Sequence, residues 1–298
     1  MDKRNSLLGK NIAMPEHYSP ALLFRIERNQ NRKKYNIDSQ NLIFCGVDVW
    51  NCYEFSFLTN NGLPIQRVLK IIVPCESKFL VESKSLKLYL NSFNMDFFGD
   101  SIQEAEDKVK TLITNDLSIL LECEIIVSFF ADESASNCEN SFNPQIYKQL
   151  TDLISSENLN SAVFSDYNEN AQVLKKNDPE TMREYTFCTN LLRSNCPVTN
   201  QPDFGDLYVR MKTHNMPDFL SILRYIVSFR KENHFHEEIV EMIYKRFFDI
   251  FEPDELLIAA KYTRRGGIDI NPLRASASEL IPVAFVSQNI SEQKTFRQ

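Results

Sequence analysis

Along residues 41–261 the patterning runs through strand, strand, helix, helix, strand, and then through the same order again. In the first half, Ile43-Phe44-Cys45-Gly46-Val47-Asp48-Val49-Trp50 opens an extended stretch that continues to Leu58. Asn60-Asn61-Gly62 makes a turn, and residues 67–73 read as a second strand stopped by Pro74. Residues 83–93 read as a helix capped by Ser83 or Ser85. A second helix begins at Ser101, spaced for a capping box with Glu104, and its apolar residues Ile102, Ala105, Val109, Leu112, Ile113 and Leu117 recur at helical spacing. Cys123, Ile125, Val127 and Phe129 then alternate as a strand does. In the second half, residues 185–193 and the alternation Leu207, Val209, Met211 predict strands. Residues 217–230 and 235–251 predict helices, and 256–261 a closing strand. The repetition lies in the order of elements, not in residue identity. It predicts an α+β chain of two similar halves, 1–150 and 151–298, each an antiparallel sheet covered by a helix pair. Residues 131–184 between them are rich in Asn, Ser, Asp and Glu and read as a long polar connection, with short elements around 146–154.

The 298 residues suit two domains of ordinary size. A chain of this length buries roughly 75% of its unfolded surface and needs no covalent staples. Only 7 glycines are present, where average usage of about 7% would give roughly three times as many. No three of them form G-x-G-x-x-G, and none opens a G-x-x-x-x-G-K-[ST] loop. A Rossmann dinucleotide crevice and a Walker-type phosphate loop are therefore excluded, and any nucleotide must be held another way. The net charge of -7 disfavours a sequence-blind nucleic-acid footprint. The longest apolar stretch, 117–130, is broken by Glu122 and Glu124, so no membrane span is expected. Met1-Asp2-Lys3-Arg4-Asn5 does not begin a signal peptide. The seven cysteines (45, 52, 75, 123, 138, 188, 196) are scattered without a C-x-x-C pair, which predicts reduced thiols and a cytoplasmic chain. The Asn289-Ile290-Ser291 glycosylation pattern is meaningless there. No Cys/His pattern at ligand spacing occurs, so no metal is expected.

Four segments could carry chemistry. Ser194-Asn195-Cys196-Pro197-Val198-Thr199-Asn200-Gln201-Pro202-Asp203 is a shaped loop between two strands. Cys196 there is either a nucleophile or one more small buried hydrophobe. As a nucleophile it needs help, since an unperturbed thiol titrates at about 8.5. Asp203, seven residues on, could exchange protons. Asn233-His234-Phe235-His236-Glu237-Glu238 sits at a helix start. It is either plain first-turn charge or a site into which His236 carries a proton or hydrogen bond. Glu82-Ser83-Lys84-Ser85-Leu86-Lys87-Leu88-Tyr89 puts Lys84 and Lys87 on one face of a helix N-terminus. That suits an anion, although capped helices with lysines are common. In Lys261-Tyr262-Thr263-Arg264-Arg265-Gly266-Gly267, paired arginine forks suit phosphate and the glycines allow close backbone approach. The alternative is a solvated basic turn.

Together these segments resemble the NADPH-dependent 7-cyano-7-deazaguanine reductases, the nitrile reductases of queuosine biosynthesis (the QueF family). The similarity extends through Gly46-Val47-Asp48-Val49-Trp50 and Gly62-Leu63-Pro64 and so covers the chain from about Leu42 onward. The order of motifs, with the Glu-Ser-Lys signature in the first half and the cysteine in the second, resembles the long, two-module type. That resemblance implies two tandem tunnelling-fold modules, a homodimer, and reduction of 7-cyano-7-deazaguanine to 7-aminomethyl-7-deazaguanine. The electron count of nitrile to amine requires two NADPH. No metal, no direct nucleic-acid contact and no membrane are implied. By resemblance, Cys196 forms a covalent thioimide with the nitrile carbon, Asp203 is the general acid, and His236 handles protons and positions substrate. Val81, Glu82, Ser83, Phe235, His236 and Glu237 would hold the substrate. Ser83, Lys84, Lys87, Arg264, Arg265 and Gly266 would hold NADPH. Asn200 departs from the expected His, Phe204 from the expected Trp, and Pro197 is unusual after the cysteine; loop shape is what these departures bear on. Two rivals are a GTP cyclohydrolase-like enzyme, which needs zinc, and a silent purine- or pterin-binding module, which needs no thiol at Cys196.

Overall fold

The structure, a computed structural model, describes residues 17–131, 142–290 and 298. The N-terminal pentapeptide, Cys138 and Ser291 of the glycosylation pattern lie outside the described residues. The first half contains β1 (Arg25–Glu27), α1 (Asn29–Lys34), β2 (Cys45–Leu58), β3 (Pro64–Pro74), β4 (Phe79–Val81), α2 (Ser83–Asn91), α3 (Ile102–Leu121) and β5 (Ile126–Phe130). Short elements follow, β6 (Lys148–Gln149) and α4 (Ser156–Ser161). The second half contains β7 (Lys176–Asn195), β8 (Pro202–Pro217), α5 (Phe219–Ser228), α6 (His236–Phe251), β9 (Glu255–Tyr262), β10 (Ile268–Ala275) and α7 (Val283–Val286).

The two halves do not keep separate sheets. Their strands form one eight-stranded sheet in the order β5-β3-β2-β10-β9-β8-β7-β6, antiparallel except for the parallel pair β6–β7. The seam is β10 against β2, with Ile270 opposite Trp50 and Arg274 opposite Gly46. Gly46 is required at that seam: a Cβ there would lie 2.1 Å from the Leu273 carbonyl oxygen. The expectation of one sheet per half missed this because Ile268-Asp269-Ile270-Asn271-Pro272 was absorbed into the basic Arg-Gly loop. Its alternation is strand-like, and Pro272 sits in a strand that pairs on both sides.

On one face of the sheet, α2 and α3 bury Leu86, Tyr89, Val109, Ile113 and Leu117 against Trp50, Leu69 and Ile71. Farther along the same sheet, α5 and α6 bury Ile222, Ile226, Ile239, Ile243 and Phe247 against Phe187, Leu207, Val209 and Ile258. The buried residues of α3, Ala105, Val109, Ile113, Leu117 and Leu121, fall at i, i+4 steps; of the expected stripe, Ile102 is instead exposed at the helix start and Leu112 only partly buried. The opposite face carries Val49, Ile72, Tyr208, Ala259 and Leu273 under Phe142 and Phe285. Both faces of β2 are thus covered along its first half, so residues 46–52 are buried without a break, and burial alternates only beyond Cys52. Lys70 is buried and its ammonium donates to the carbonyls of Ala284, Ser287 and Ile290, at 2.6, 3.1 and 3.0 Å, pinning the C-terminal segment to that second face.

The strand expected at 185–193 is longer and begins at Lys176, so the polar connection ends earlier than residue 184. Ser101 caps α3 as expected, accepting from Glu104 N–H at 3.2 Å. The return bond of the box goes one residue further out, from Asp100 N–H to the Glu104 carboxylate.

The N-terminal segment crosses to the second half through a buried charge network. Arg32 chelates Glu241 of α6 at 2.7 and 2.8 Å. Arg274 of β10 bridges Glu241 and Asp48 of β2 at 2.9 and 2.8 Å. Arg28 completes it against Asp48. These side chains are 3% exposed or less, so removing any one partner strands a buried charge, a loss of about 3–5 kcal/mol.

Candidate active site

A cavity of about 290 Å³ opens where four segment ends meet. They are the N-terminus of α2, the loop from β7 to β8, the N-terminus of α6 and the turn from β9 to β10. It lies beside the β2–β10 seam, floored by Trp50, Ile268 and Ile270.

The β7–β8 loop presents Cys196. Cys196 N–H donates to the Gln201 carbonyl at 2.9 Å, and Asn200 N–H donates to the Cys196 carbonyl at 3.0 Å, which closes the loop. Asn200 takes φ 55°, the left-handed region that asparagine tolerates better than most residues. Its side-chain oxygen accepts from Asn233 Nδ2 at 2.9 Å, tying the loop to the approach of α6. The departure from the expected histidine thus keeps a polar tie at that place. Cys196 and the other five described cysteines are free thiols.

Asp203 lies on β8, opposite Ser194 in the strand register. Its Oδ1 is 2.9 Å from Arg265 Nη2, and its Oδ2 is 3.6 Å from His236 Nε2. His236 opens α6 and lies flat on the Tyr262 ring, with centroids 3.6 Å apart and planes within 1°. The other nitrogen of His236, Nδ1, is buried with no partner among the described residues.

Two carboxyl groups share the cavity wall, and burial raises both. Glu82, rather than Ser83 or Ser85, caps α2: its oxygens accept from Lys84 N–H at 2.9 Å and Ser85 N–H at 2.7 Å. Burial raises its carboxyl above the usual range and those two N–H bonds partly oppose the shift. The amides of the expected anion site at the α2 N-terminus are already taken by the chain's own Glu82 side chain. Attraction for a further anion therefore falls on Lys84, Lys87 and Arg265. Glu237 is 2% exposed, and burial together with the negative charge of Asp48 pushes its carboxyl up to about 8, against the opposing pull of Arg28 and Arg274.

That raised carboxyl sets a pH dependence. From the unfolded value of about 4.3 up to about 8, native Glu237 keeps a proton that the unfolded chain has lost. Its contribution is complete below the unfolded value and is lost as pH rises through the folded one. Glu237→Gln, which carries no such proton, is expected to melt progressively higher relative to the parent as pH goes from 5 to 8. Thermal melts across that range check it; a pH-independent difference would contradict it.

The β9–β10 turn brings Thr263, Arg265 and Gly266 to the cavity. Gly266 has φ 58°, and a Cβ there would sit 2.4 Å from Lys87 Nζ, so glycine lets the lysine lie against the turn. Arg264 does not line the cavity. Residues alternate sides as the chain leaves β9, and the Arg264 guanidinium stacks 4.5 Å over the Tyr53 ring instead. All other site residues expected from the sequence line this one cavity: Val81, Glu82, Ser83, Lys84, Lys87, Cys196, Asp203, Phe235, His236, Glu237, Arg265 and Gly266. Sequence reasoning passed over Trp50, Gln201, His234, Ile268 and Ile270, which line it too. The His234 ring sits between Glu238, 3.0 Å from Nδ1, and Glu232, 3.2 Å from Nε2. Among the described residues no group of three or more His, Cys, Asp or Glu side chains is placed to hold a metal ion, and no helix is long and apolar enough to cross a membrane.

Comparison with known proteins decides the family. Residues 14–129 match the family model described as nitrile reductase, 7-cyano-7-deazaguanine-reductase N-term, and residues 202–280 match that of the QueF-like proteins. The NADPH-dependent 7-cyano-7-deazaguanine reductase of Psychrobacter cryohalolentis is 38% identical over 287 residues, covering 94% of this chain and 96% of that protein. The chain belongs to the 7-cyano-7-deazaguanine reductase family. Enzymes of the same name from Desulfotalea psychrophila and Acinetobacter baylyi are each 38% identical, covering 91% and 95% of this chain and 93% and 97% of their own length. A likeness to a solved structure, the archaeosine synthase QueF-Like in the apo form, is confined to 33% of this chain and 95% of that one, at 13% identity and a TM-score of 0.29. Within the reductase family, the cavity is the part of this chain where the motif residues converge.

Proposed function

We propose that this protein reduces the nitrile of 7-cyano-7-deazaguanine to the aminomethyl group, oxidising two NADPH, in queuosine biosynthesis. The observation that carries the reading is the convergence of a free thiol, Cys196, an anchored carboxylate, Asp203, and an imidazole, His236, in one cavity that two buried carboxylates also line. Full-length similarity to reductases of that name supports it.

A nitrile carbon is a weak electrophile toward hydride, and addition of a thiol improves it. The Cys196 sulfur gives an electron pair to the nitrile carbon as the new C–S bond and yields its S–H proton to the Asp203–His236 pair, while one C≡N π pair moves onto nitrogen and takes up a proton, giving a thioimide. Asp203 supplies that proton, held toward the site by Arg265, with His236 beside it to restore it from solvent. Once the thioimide carbon has been reduced, expulsion of the thiolate frees Cys196 and leaves an imine, and the second reduction yields the amine. Glu82 and Glu237 accept from the N–H edge of the deazaguanine, since carboxylates offer only acceptors to it. Ser83 and Phe235 complete the pocket walls.

The residues present fit NADPH: three cations, Lys84, Lys87 and Arg265, line the cavity, and Gly266 leaves backbone space against Lys87 that any side chain would fill. When bound, NADPH supplies the hydride for each reduction. Gly266→Ala forces Lys87 aside and strains the turn. It is expected to raise KM for NADPH about tenfold while kcat changes less, because a binding interaction is lost in ground and transition states alike. Steady-state kinetics with varied NADPH check it; an unchanged KM would remove Lys87 and the turn from cofactor binding.

The reading extends to two tandem tunnelling-fold modules, 1–150 and 151–298, to a homodimer, and to a cytoplasmic location. The repeated element order supports the first, and the free thiols are consistent with the last. The test of the function is stoichiometric. With excess 7-cyano-7-deazaguanine, two NADPH should be oxidised for each amine formed, as read by absorbance and product mass. Tight binding without NADPH oxidation would overturn the reading in favour of a purine-binding module.

A further inference from the structure

The contact between His236 and Tyr262 is the closest ring pair in the described chain and geometrically the least expected. Two neutral aromatic rings avoid lying face to face because their quadrupoles repel, and they prefer offset or edge-on packing. Here the planes are parallel within 1° at a centroid separation of 3.6 Å. The arrangement is imposed from the strands. Tyr262 ends β9, is fully buried, and faces Gly205 of β8 across the ladder. A Cβ on Gly205 would come within 3.1–3.2 Å of the Cε1, Cδ1 and Cζ atoms of that ring, so the ring lies against the place where a side chain is missing. The same strand β8 carries Asp203 two residues earlier. The Tyr262 hydroxyl is buried with no partner among the described residues, so hydrogen bonding does not explain the tyrosine's position. The ring does.

We infer that Tyr262, seated on Gly205, is a positioning residue for the reaction. It fixes the plane of the His236 imidazole so that Nε2 faces the Asp203 carboxylate. His236 has no hydrogen bond at Nδ1 to orient it, and its Nε2 stands 3.6 Å from Asp203 Oδ2, beyond hydrogen-bond length. Stacking is thus the contact that sets its orientation. A proton relay misaligned by about 1 Å can lose on the order of 10²-fold. The inference rests on the proposed role of His236 in proton handling.

The experiment compares Tyr262→Phe, Tyr262→Leu and Gly205→Ala, each also in a His236→Ala background. Phenylalanine keeps the ring and removes only an unpaired hydroxyl, so kcat should stay within about threefold and stability should not fall. Leucine removes the stack, and kcat should fall about 10- to 100-fold with KM for both substrates within about threefold. In the His236→Ala background the leucine change should add little further loss. Gly205→Ala, which pushes the ring without touching the cavity, should lie between. An equal loss from Tyr262→Leu in both backgrounds, or a loss from Tyr262→Phe as large as from Tyr262→Leu, would overturn the inference. A second readout is independent of activity and of leucine's fit. The chain has 4 histidines, and the His236 ring-proton NMR signal, assigned by its absence in His236→Ala, should move out of its ring-current-shifted position in Tyr262→Leu and Gly205→Ala but not in Tyr262→Phe. If the parent protein does not reduce the nitrile, the functional reading fails, and this signal still decides whether Tyr262 orients His236.

Discussion

Cys196→Ala is expected to lose nitrile turnover by on the order of 10⁴-fold or more, because without the sulfur there is no covalent route from nitrile to thioimide. Binding of 7-cyano-7-deazaguanine should change little. The groups proposed to read the deazaguanine edge are Glu82, fixed by two α2 amides, and Glu237, buried at the start of α6, and neither is held by Cys196. The loop should also survive the change, since the bonds that close it run through the main chain at Cys196 and through Asn200 and Asn233. Calorimetric binding alongside NADPH oxidation separates the two effects. More than a few per cent of parental kcat in Cys196→Ala would remove the thiol from the reaction.

Asp203→Asn is expected to lower kcat by about 10²- to 10³-fold, the range of a positioned general acid. Asparagine is nearly isosteric and can still accept from Arg265, so the turn between β9 and β10 should hold. What it cannot do is give and regain a proton. Substrate binding should remain measurable, and the thioimide should form slowly because the nitrile nitrogen lacks its proton source. A kcat within about threefold of the parent would assign the proton to another group.

Several elements could be read from the sequence because local chemistry and tertiary demand agree there. The alternation of Leu207, Val209 and Met211 buries the residues its period marks, and the stripe of α3 does so except at Ile102, which is exposed, and Leu112, which is partly buried. Asn60-Asn61-Gly62 turns where small amides and glycine predict a turn. The site also announced itself through residue types that are awkward elsewhere, such as paired glycines in a glycine-poor chain and a carboxylate beside two lysines at a helix start. What could not be read depends on distant partners. The strand at Ile268–Ala275 is held by β2, more than two hundred residues earlier, and nothing local says that two half-sheets fuse there. The cap of α2 is Glu82 because burial leaves its carboxylate those two amides to bind, whereas the local rule favours a hydroxyl. Arg264 and Arg265 are indistinguishable in sequence; alternation beyond β9 sends one to Tyr53 and the other to Asp203. Glu237's raised carboxyl follows from burial and, after it, from Asp48, and neither is visible in the run Phe235-His236-Glu237-Glu238.

The central claim is that Cys196 bonds covalently to an intact nitrile. Protein incubated with 7-cyano-7-deazaguanine and no NADPH, then weighed intact by mass spectrometry, should gain the full mass of the nitrile, since addition expels nothing. Cys196→Ala should gain nothing, and peptide mapping should place the adduct on the peptide that carries Cys196. No adduct on the parent protein, or an adduct that persists in Cys196→Ala, would contradict the account.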